Sequence, residues 1–330
     1  MALVFKTKSS KMPIPLHKPH DEFFKETFRQ KDMAEEFFRH FLPPEITKQL
    51  NFSQMELENS SYTDEMLAER FSDVVYTCPF GSEEARVKIT LLLEHKTGRV
   101  VFPHLQLLKY MTNIWDEQIK QKQKPTPVLP VLFVQGPVSI PYEPLERYVE
   151  GASAVWLPYL PRFQYVLTDL TKIPDGQILR LQLSMLKVGL LLMKHIWDEE
   201  HIFRHAREIF SLLINATQDE RGQLYARSIF VYLFTHSGFK KEEREQLVQT
   251  MPVSLKDIAM NTLQKVYTEG KIEGKIEGKI EGKIEGETLG VKKSIRQLLQ
   301  HGYAVEQVAD LLDVPISLVQ EVEKEMKGAN

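Results

Sequence analysis

The sequence predicts an α/β protein whose sheet lies within residues 19–175 and whose remainder is helical. Three observations carry this. Apolar residues recur at helical spacing over Phe23–Phe41 and again over His104–Gln121. Around them lie short runs with the period of two, or the unbroken apolar character, of strands: Asn51–Tyr62, Asp73–Tyr76, Arg86–Lys96, Pro127–Gly136 and Phe163–Leu167. The order helix, three strands, helix, two strands implies a mixed sheet with one helical crossover.

Residues 1–18 carry prolines and lysines without periodicity and read as a loose arm. The stripe Phe23, Phe24, Phe28, Met33, Phe37, Phe38 and Phe41 is a helical core face, with Asp21 placed as an N-cap and His20 beside it. Pro43-Pro44 ends that helical stretch, because proline cannot continue the hydrogen-bond ladder. Pro127–Gly136 suits a strand buried on both faces, with Pro130 at its start or at a bulge.

From Gln177 to residue 268, leucine and isoleucine stripes describe successive amphipathic helices. Residues 269–286 repeat Glu-Gly-Lys-Ile with a period of four. On an α-helix such a stripe advances about 40° per repeat and spirals. Like charges stand at i,i+4 (Lys271/Lys275, Glu273/Glu277), and each glycine costs ~1 kcal/mol in a helix interior. The repeat therefore reads as a flexible tether, with an oligomerisation helix as the other reading. Residues 287–330 form a small helix-turn-helix-like tail. Its last helix is acidic at Glu321, Glu323 and Glu325, whereas a groove-reading helix offers Arg, Lys, Asn or Gln.

Composition sets the outer bounds. Of 330 residues, 42% are hydrophobic and 26% charged, as in a globular domain pair. A net charge of −3 excludes a uniformly basic nucleic-acid wrapper but not a local basic patch. A lone cysteine, Cys78, excludes an internal disulfide and a cysteine-built zinc site. No apolar run approaches the ~18 residues of a membrane span, and residues 1–11 lack a secretory core, so a cytoplasmic protein is expected.

The chemistry gathers at Ser72–Tyr76 and Leu91–Lys96. By strand parity Val87, Ile89, Leu91 and Leu93 take one face, while Lys88, Thr90, Leu92, Glu94 and Lys96 take the other. If Asp73 opens the antiparallel partner, two carboxylates and one ammonium converge on one patch. Mg²⁺ is held by one or two carboxylates and keeps several waters. A neighbouring lysine offsets charge developing on phosphate. That is the outline of phosphodiester hydrolysis. Taken singly, Asp73 would be a turn cap and Lys96 a surface lysine; His95 falls on the opposite face, and the lysines at 120, 122 and 124 are a solvated helix end.

His20–Lys25, Phe41–Pro44, Ser72–Tyr76, Leu92–Lys96 and Leu107–Met111 follow one another in a recognisable order, with Pro141-Tyr142, Asp169-Leu170, the Gly-Lys-Xaa-Glu repeat and the Leu298–Val319 tail after them. The series resembles the Rpn family of recombination-promoting nucleases, also described as transposases, within the PD-(D/E)XK superfamily. The resemblance implies a restriction-endonuclease-like core and a Mg²⁺-dependent DNA endonuclease, with Mn²⁺ as a substitute, acting in recombination or in defence against foreign DNA. It places the metal-binding acids at Asp73 and Glu94 and the catalytic lysine at Lys96, where many relatives carry glutamine. Asp64 and Glu65 match an acidic pair before the metal strand. Gln106 matches a polar position on the following helix, so Glu65 and Gln106 are its supporting residues. DNA is the implied partner, and self-association through the repeat or tail is a further expectation. A catalytically idle nuclease fold that binds nucleic acid or a partner is the alternative.

Overall fold

The computed structural model describes residues 19–58, 72–81, 85–95, 103–136 and 141–328, with the backbone alone at 19, 72–73, 90–95, 273–285, 287 and 328. Contacts divide the chain into two compact units, Met1–Leu263 and Gln264–Asn330.

The first unit opens with α1 (Pro19–Phe28), α2 (Lys31–Phe41) and a single turn, α3 (Pro44–Thr47). A five-stranded sheet follows in the order β1-β2-β3-β4-β5. Its strands are β1 (Glu56–Leu57), β2 (Ser72–Pro79), β3 (Arg86–His95), β4 (Val128–Gln135) and β5 (Val166–Asp169), with α4 (Pro103–Lys120) crossing between β3 and β4. The β1-β2 and β2-β3 pairs are antiparallel, and β3-β4 and β4-β5 parallel. The mixed α/β architecture is the one expected. At the first strand the structure differs: residues 52–54 form a 3₁₀ turn and the strand is Glu56–Leu57, while residues 59–62 lie outside the described residues. Pro130 lies two residues inside β4, just before β5 joins at Val131.

Cross-strand partners share a side of the pleat, so register sorts the sheet into two faces. Tyr76 and Phe133 meet the aromatic stripe: Phe133 lies 5.5 Å from Phe24 and from Phe28 and 5.7 Å from Phe37, and Phe38 lies 5.9 Å from Tyr76. Tyr76 donates its hydroxyl proton to the Phe28 carbonyl at 2.9 Å. On the other side Val75, Leu132 and Val134 pack against Leu107, Tyr110 and Ile114 of α4. β4 is buried along six consecutive residues, as its unbroken apolar run requires.

Asp21 lies in the first turn of α1, three positions beyond where an N-cap would be, because the helix begins at Pro19. His20 is buried, its Nδ1 2.8 Å from Tyr232 Oη and 3.1 Å from Gln135 Nε2, so it ties α1 to β4 and to a later helix.

After β5 come α5 (Asp175–Leu179), α6 (Ser184–His195), α7 (Glu199–Ser211), α8 (Glu220–His236) and α9 (Lys241–Thr250). Glu36 of α2 reaches the start of α6 and accepts from the Leu183 N–H at 2.9 Å and from the Gln182 N–H. That carboxylate satisfies donors a helix N-terminus otherwise leaves unpaired. Asp198 and Asp219 cap α7 and α8, accepting from His201 N at 2.9 Å and Gly222 N at 2.7 Å. At Gly222 a Cβ would come within 1.7 Å of the Ala216 carbonyl oxygen, so only glycine fits.

The next helix, α10, runs unbroken from Val253 to Gln300 and takes in the whole repeat. The expected tether is thus helical. Nucleation is the costly step of helix formation, and the repeat is continued from helix already formed at both ends. Leu255, Ala259 and Leu263 are buried at one end and Ile295 at the other.

In the second unit, Ile295 packs with Val308 and Ala309 of α11 (Val305–Leu312) and Val319 and Val322 of α12 (Ile316–Gly328). Asp313, left-handed at φ 52°, turns the chain between them. The acidic side of α12 is answered within this unit: Lys292 lies 2.8 Å from Glu321 and 2.9 Å from Glu325, and Arg296 2.7 Å from Glu325. Among the described residues no helix is long and apolar enough to cross a membrane.

Candidate active site

Strand register builds the site from the backbone upward. Asp73 pairs with Leu92, and Glu94 with Val134. Positions 73 and 94 are therefore diagonal neighbours on one side of the pleat, and such neighbours stand about 7–8 Å apart. They share the side that α4 covers, with Val75, Leu132 and Val134. Lys96, Glu65 and Asp64 lie outside the described residues. Gln106 is in the first turns of α4, and its Oε1 is buried with no hydrogen-bond partner among the described residues.

Other polar groups on this side are already committed. Lys88, only 7% exposed, pairs with Glu58 at 3.1 Å, and Thr77 donates to the same carboxylate. Asp169 continues the row Glu94–Val134–Asp169, two strand spacings or about 10 Å from position 94. Its Oδ1 accepts from Thr171 N at 3.0 Å and Thr171 Oγ1 at 2.6 Å, and Lys172 stands 3.6 Å from Oδ2. That acid caps the turn after β5. A cleft of about 670 Å³ lined by Phe41, Tyr142, Tyr165 and Asp169 opens at the β5 edge of the sheet.

His104, two residues before Gln106, is 1% exposed, and neither ring nitrogen has a hydrogen-bond partner among the described residues. Tyr148, Phe163 and Tyr165 surround it at 5.1–5.9 Å between ring centroids. Burial, opposed in part by the Glu146 carboxylate, pushes its imidazole below the ordinary range. Sequence reading passes over this residue. It also passes over Asp175, His195 and His201, which the helical segment brings together. The available signal was a crowding of three of the ten histidines into positions 195–205.

Asp73 and Glu94 offer only carboxylate oxygens, the hard donors that Mg²⁺ takes. The donor set fits such a cation.

Residues 18–224 match the family described as "Putative transposase, YhgA-like", and the chain belongs to it. Among the curated proteins it is similar to are the following three from Escherichia coli. The recombination-promoting nuclease RpnD is 28% identical over 182 residues, 54% of this chain and 68% of the relative. The recombination-promoting nuclease RpnA is 30% identical over 189 residues, 54% of this chain and 60% of the relative. The inactive recombination-promoting nuclease-like protein RpnE is 26% identical over 260 residues, 76% of this chain and 82% of the relative. No solved structure matches the chain at a significant level.

Proposed function

We propose that this protein is a metal-dependent deoxyribonuclease that hydrolyses phosphodiester bonds, with Asp73 and Glu94 as the ligands of Mg²⁺ and Lys96 as the residue that answers charge on the phosphate. The observation that carries this reading is the pairing of β2 with β3, which sets positions 73 and 94 diagonally on one side of the sheet. When bound, the cation supplies Lewis-acid polarisation of phosphate oxygens and lowers the pKa of a coordinated water. The chain's own part is to hold two carboxylates in fixed register on paired strands, a more rigid platform than a loop. Lys96 brings an ammonium to the phosphate as negative charge builds in the transition state. Gln106, with a carbonyl oxygen unpaired among the described residues on the helix covering this side, supports the site as a positioning residue. Glu65 supplies a supporting carboxylate, and DNA is the substrate.

One observation favours a second reading. The relative described as inactive matches more of this chain, 76%, than either active relative does. On that reading the fold binds nucleic acid without cutting it. The presence of Asp73, Glu94 and Lys96 together supports the active reading.

Supercoiled plasmid incubated with Mg²⁺, with and without EDTA, distinguishes them. Nicking is expected from the wild type, absent in EDTA and absent in Asp73→Ala, with the variant's far-UV circular dichroism unchanged. Cleavage that persists undiminished in a folded Asp73→Ala protein would refute the site assignment. No cleavage by the wild type, with DNA still bound, would select the second reading.

A further inference from the structure

Away from the sheet, three helices bring metal-ligating side chains to one point. Asp175 opens α5, His195 ends α6 and His201 sits in the first turn of α7. His195 Nε2 stands 3.0 and 2.9 Å from Asp175 Oδ1 and Oδ2, and His201 Nε2 stands 3.7 Å from Oδ2. The two imidazoles stack at 3.7 Å with 11° between their planes. One ligand atom from each residue lies within 4.8 Å of the others. All three side chains are partly buried, 14% exposed at His195, 24% at His201 and 32% at Asp175.

We propose that Asp175, His195 and His201 form a binding site for a divalent transition-metal ion of the zinc class, with a fourth position open to water.

Ligand atoms 2.0–2.2 Å from a tetrahedral ion stand about 3.4 Å from one another. The measured 2.9 and 3.7 Å separations bracket that edge. Two imidazoles with one carboxylate is a donor set for zinc, nickel or cobalt, and a poor one for Mg²⁺. Burial, then the charges of His195 and His205, push His201 below the usual histidine range. Burial works to raise the Asp175 carboxyl, but hydrogen bonds from Lys194 and His195 outweigh it and hold the group below its usual range.

Lys194 has a distinct place. Its Nζ takes Asp175 Oδ1 at 2.6 Å and the Ile173 carbonyl at 2.6 Å, orienting the carboxylate and leaving Oδ2 toward the histidines. Ligating carboxylates are held by outer partners in this way. The His205 ring lies tilted at 41° beside His201, 4.6 Å between centroids, and turns Nδ1 toward Glu208 at 3.1 Å, outside the ligand set. The competing account is a plain ion pair in which Lys194 and His195 answer Asp175 and nothing more is bound.

The test uses the full chain, stripped with EDTA and titrated with Zn²⁺ alone. Retained zinc is read by mass spectrometry, affinity by calorimetry, and the donor set by X-ray absorption at the zinc edge. About one zinc per chain with imidazole scattering is expected. His195→Ala/His201→Ala should bind it at least ~100-fold more weakly, because loss of a ligand exceeds the 10- to 100-fold typical of outer-shell changes. Asp73→Ala/Glu94→Ala should retain it, which separates this site from the nuclease reading. If the double histidine variant fails to fold, the milder His201→Gln serves: zinc raises the melting temperature of the wild type and leaves this variant's unmoved. No retained zinc, equal retention in the histidine variants, or loss following the Asp73/Glu94 variant instead would each overturn the proposal.

Discussion

The two sides of the sheet are filled by different chemistry. Toward α1 and α2, Tyr76 and Phe133 meet Phe24, Phe28, Phe37 and Phe38, all fully buried. Toward α4 the middle is apolar, at Val75, Leu132 and Val134, but the margins are polar: Lys88 with Glu58, Asp169 with Thr171, His104 and Gln106 without hydrogen-bond partners among the described residues, and positions 73 and 94 by register. Burying a polar group without a hydrogen bond is unfavourable. The α4 side therefore gives up stability that the aromatic side does not, and functional sites are where such concessions concentrate. The comparison teaches where to look for stability and where for chemistry.

The largest effect should fall on the aromatic side. Phe133→Ala removes a ring enclosed by three others and should destabilise the protein by about 3–5 kcal/mol in urea unfolding. Plasmid nicking under folding conditions should then fall only with the folded fraction. A loss below about 1 kcal/mol would show that this face is not the main core. Glu94→Ala on the other side should do the reverse, cutting the nicking rate by ~10²–10³-fold, the scale of losing a group that stabilises transition-state charge, while folding persists. A matched loss of stability and rate would make both faces structural and erase the contrast.

How much of this contrast was legible beforehand follows from what each signal depends on. The aromatic stripe and the apolar run of β4 are periodic, and periodicity reports burial directly. Asp73 and Glu94 stood out because acids interrupt strands, and the hairpin pairing was readable from strand parity. His104 was not legible, because it reads as an ordinary helix start and its enclosure by Tyr148, Phe163 and Tyr165 comes from residues 44 to 61 positions later. The His20–Tyr232 bond spans 212 residues, and Glu36 meets the start of α6 across 146, beyond any local pattern. Composition also misled at the repeat, where propensity counts what each glycine subtracts but not the helix already formed on either side.

His104 sharpens the comparison through pH. Its folded-state pKa lies below the unfolded value of about 6.5, so the unfolded chain takes up the proton first as pH falls. The stability this group allows is complete above pH ~6.5 and is lost below it, toward the folded pKa. His104→Phe keeps the ring and removes the proton. The melting temperature of the variant should fall less steeply than that of the wild type between pH 7 and 5, by no more than ~1.4 kcal/mol per pH unit in stability. Parallel profiles would mean that His104 has a partner for its charged form.

The smallest effect tests whether the polar margin serves the site at all. Gln106 Oε1 is buried and unpaired among the described residues, so Gln106→Leu removes a desolvated acceptor while keeping most of the side-chain volume. The variant should be more stable by about 0.5–1 kcal/mol in chemical denaturation. If Gln106 positions the site, the same variant should nick plasmid more slowly with an unchanged pH profile, and Gln106→Glu, which keeps an acceptor in place, should fail to restore the rate unless the acceptor is the working atom. A Gln106→Leu protein that gains stability and loses no activity would confine the site to the strands and leave α4 as a packing element.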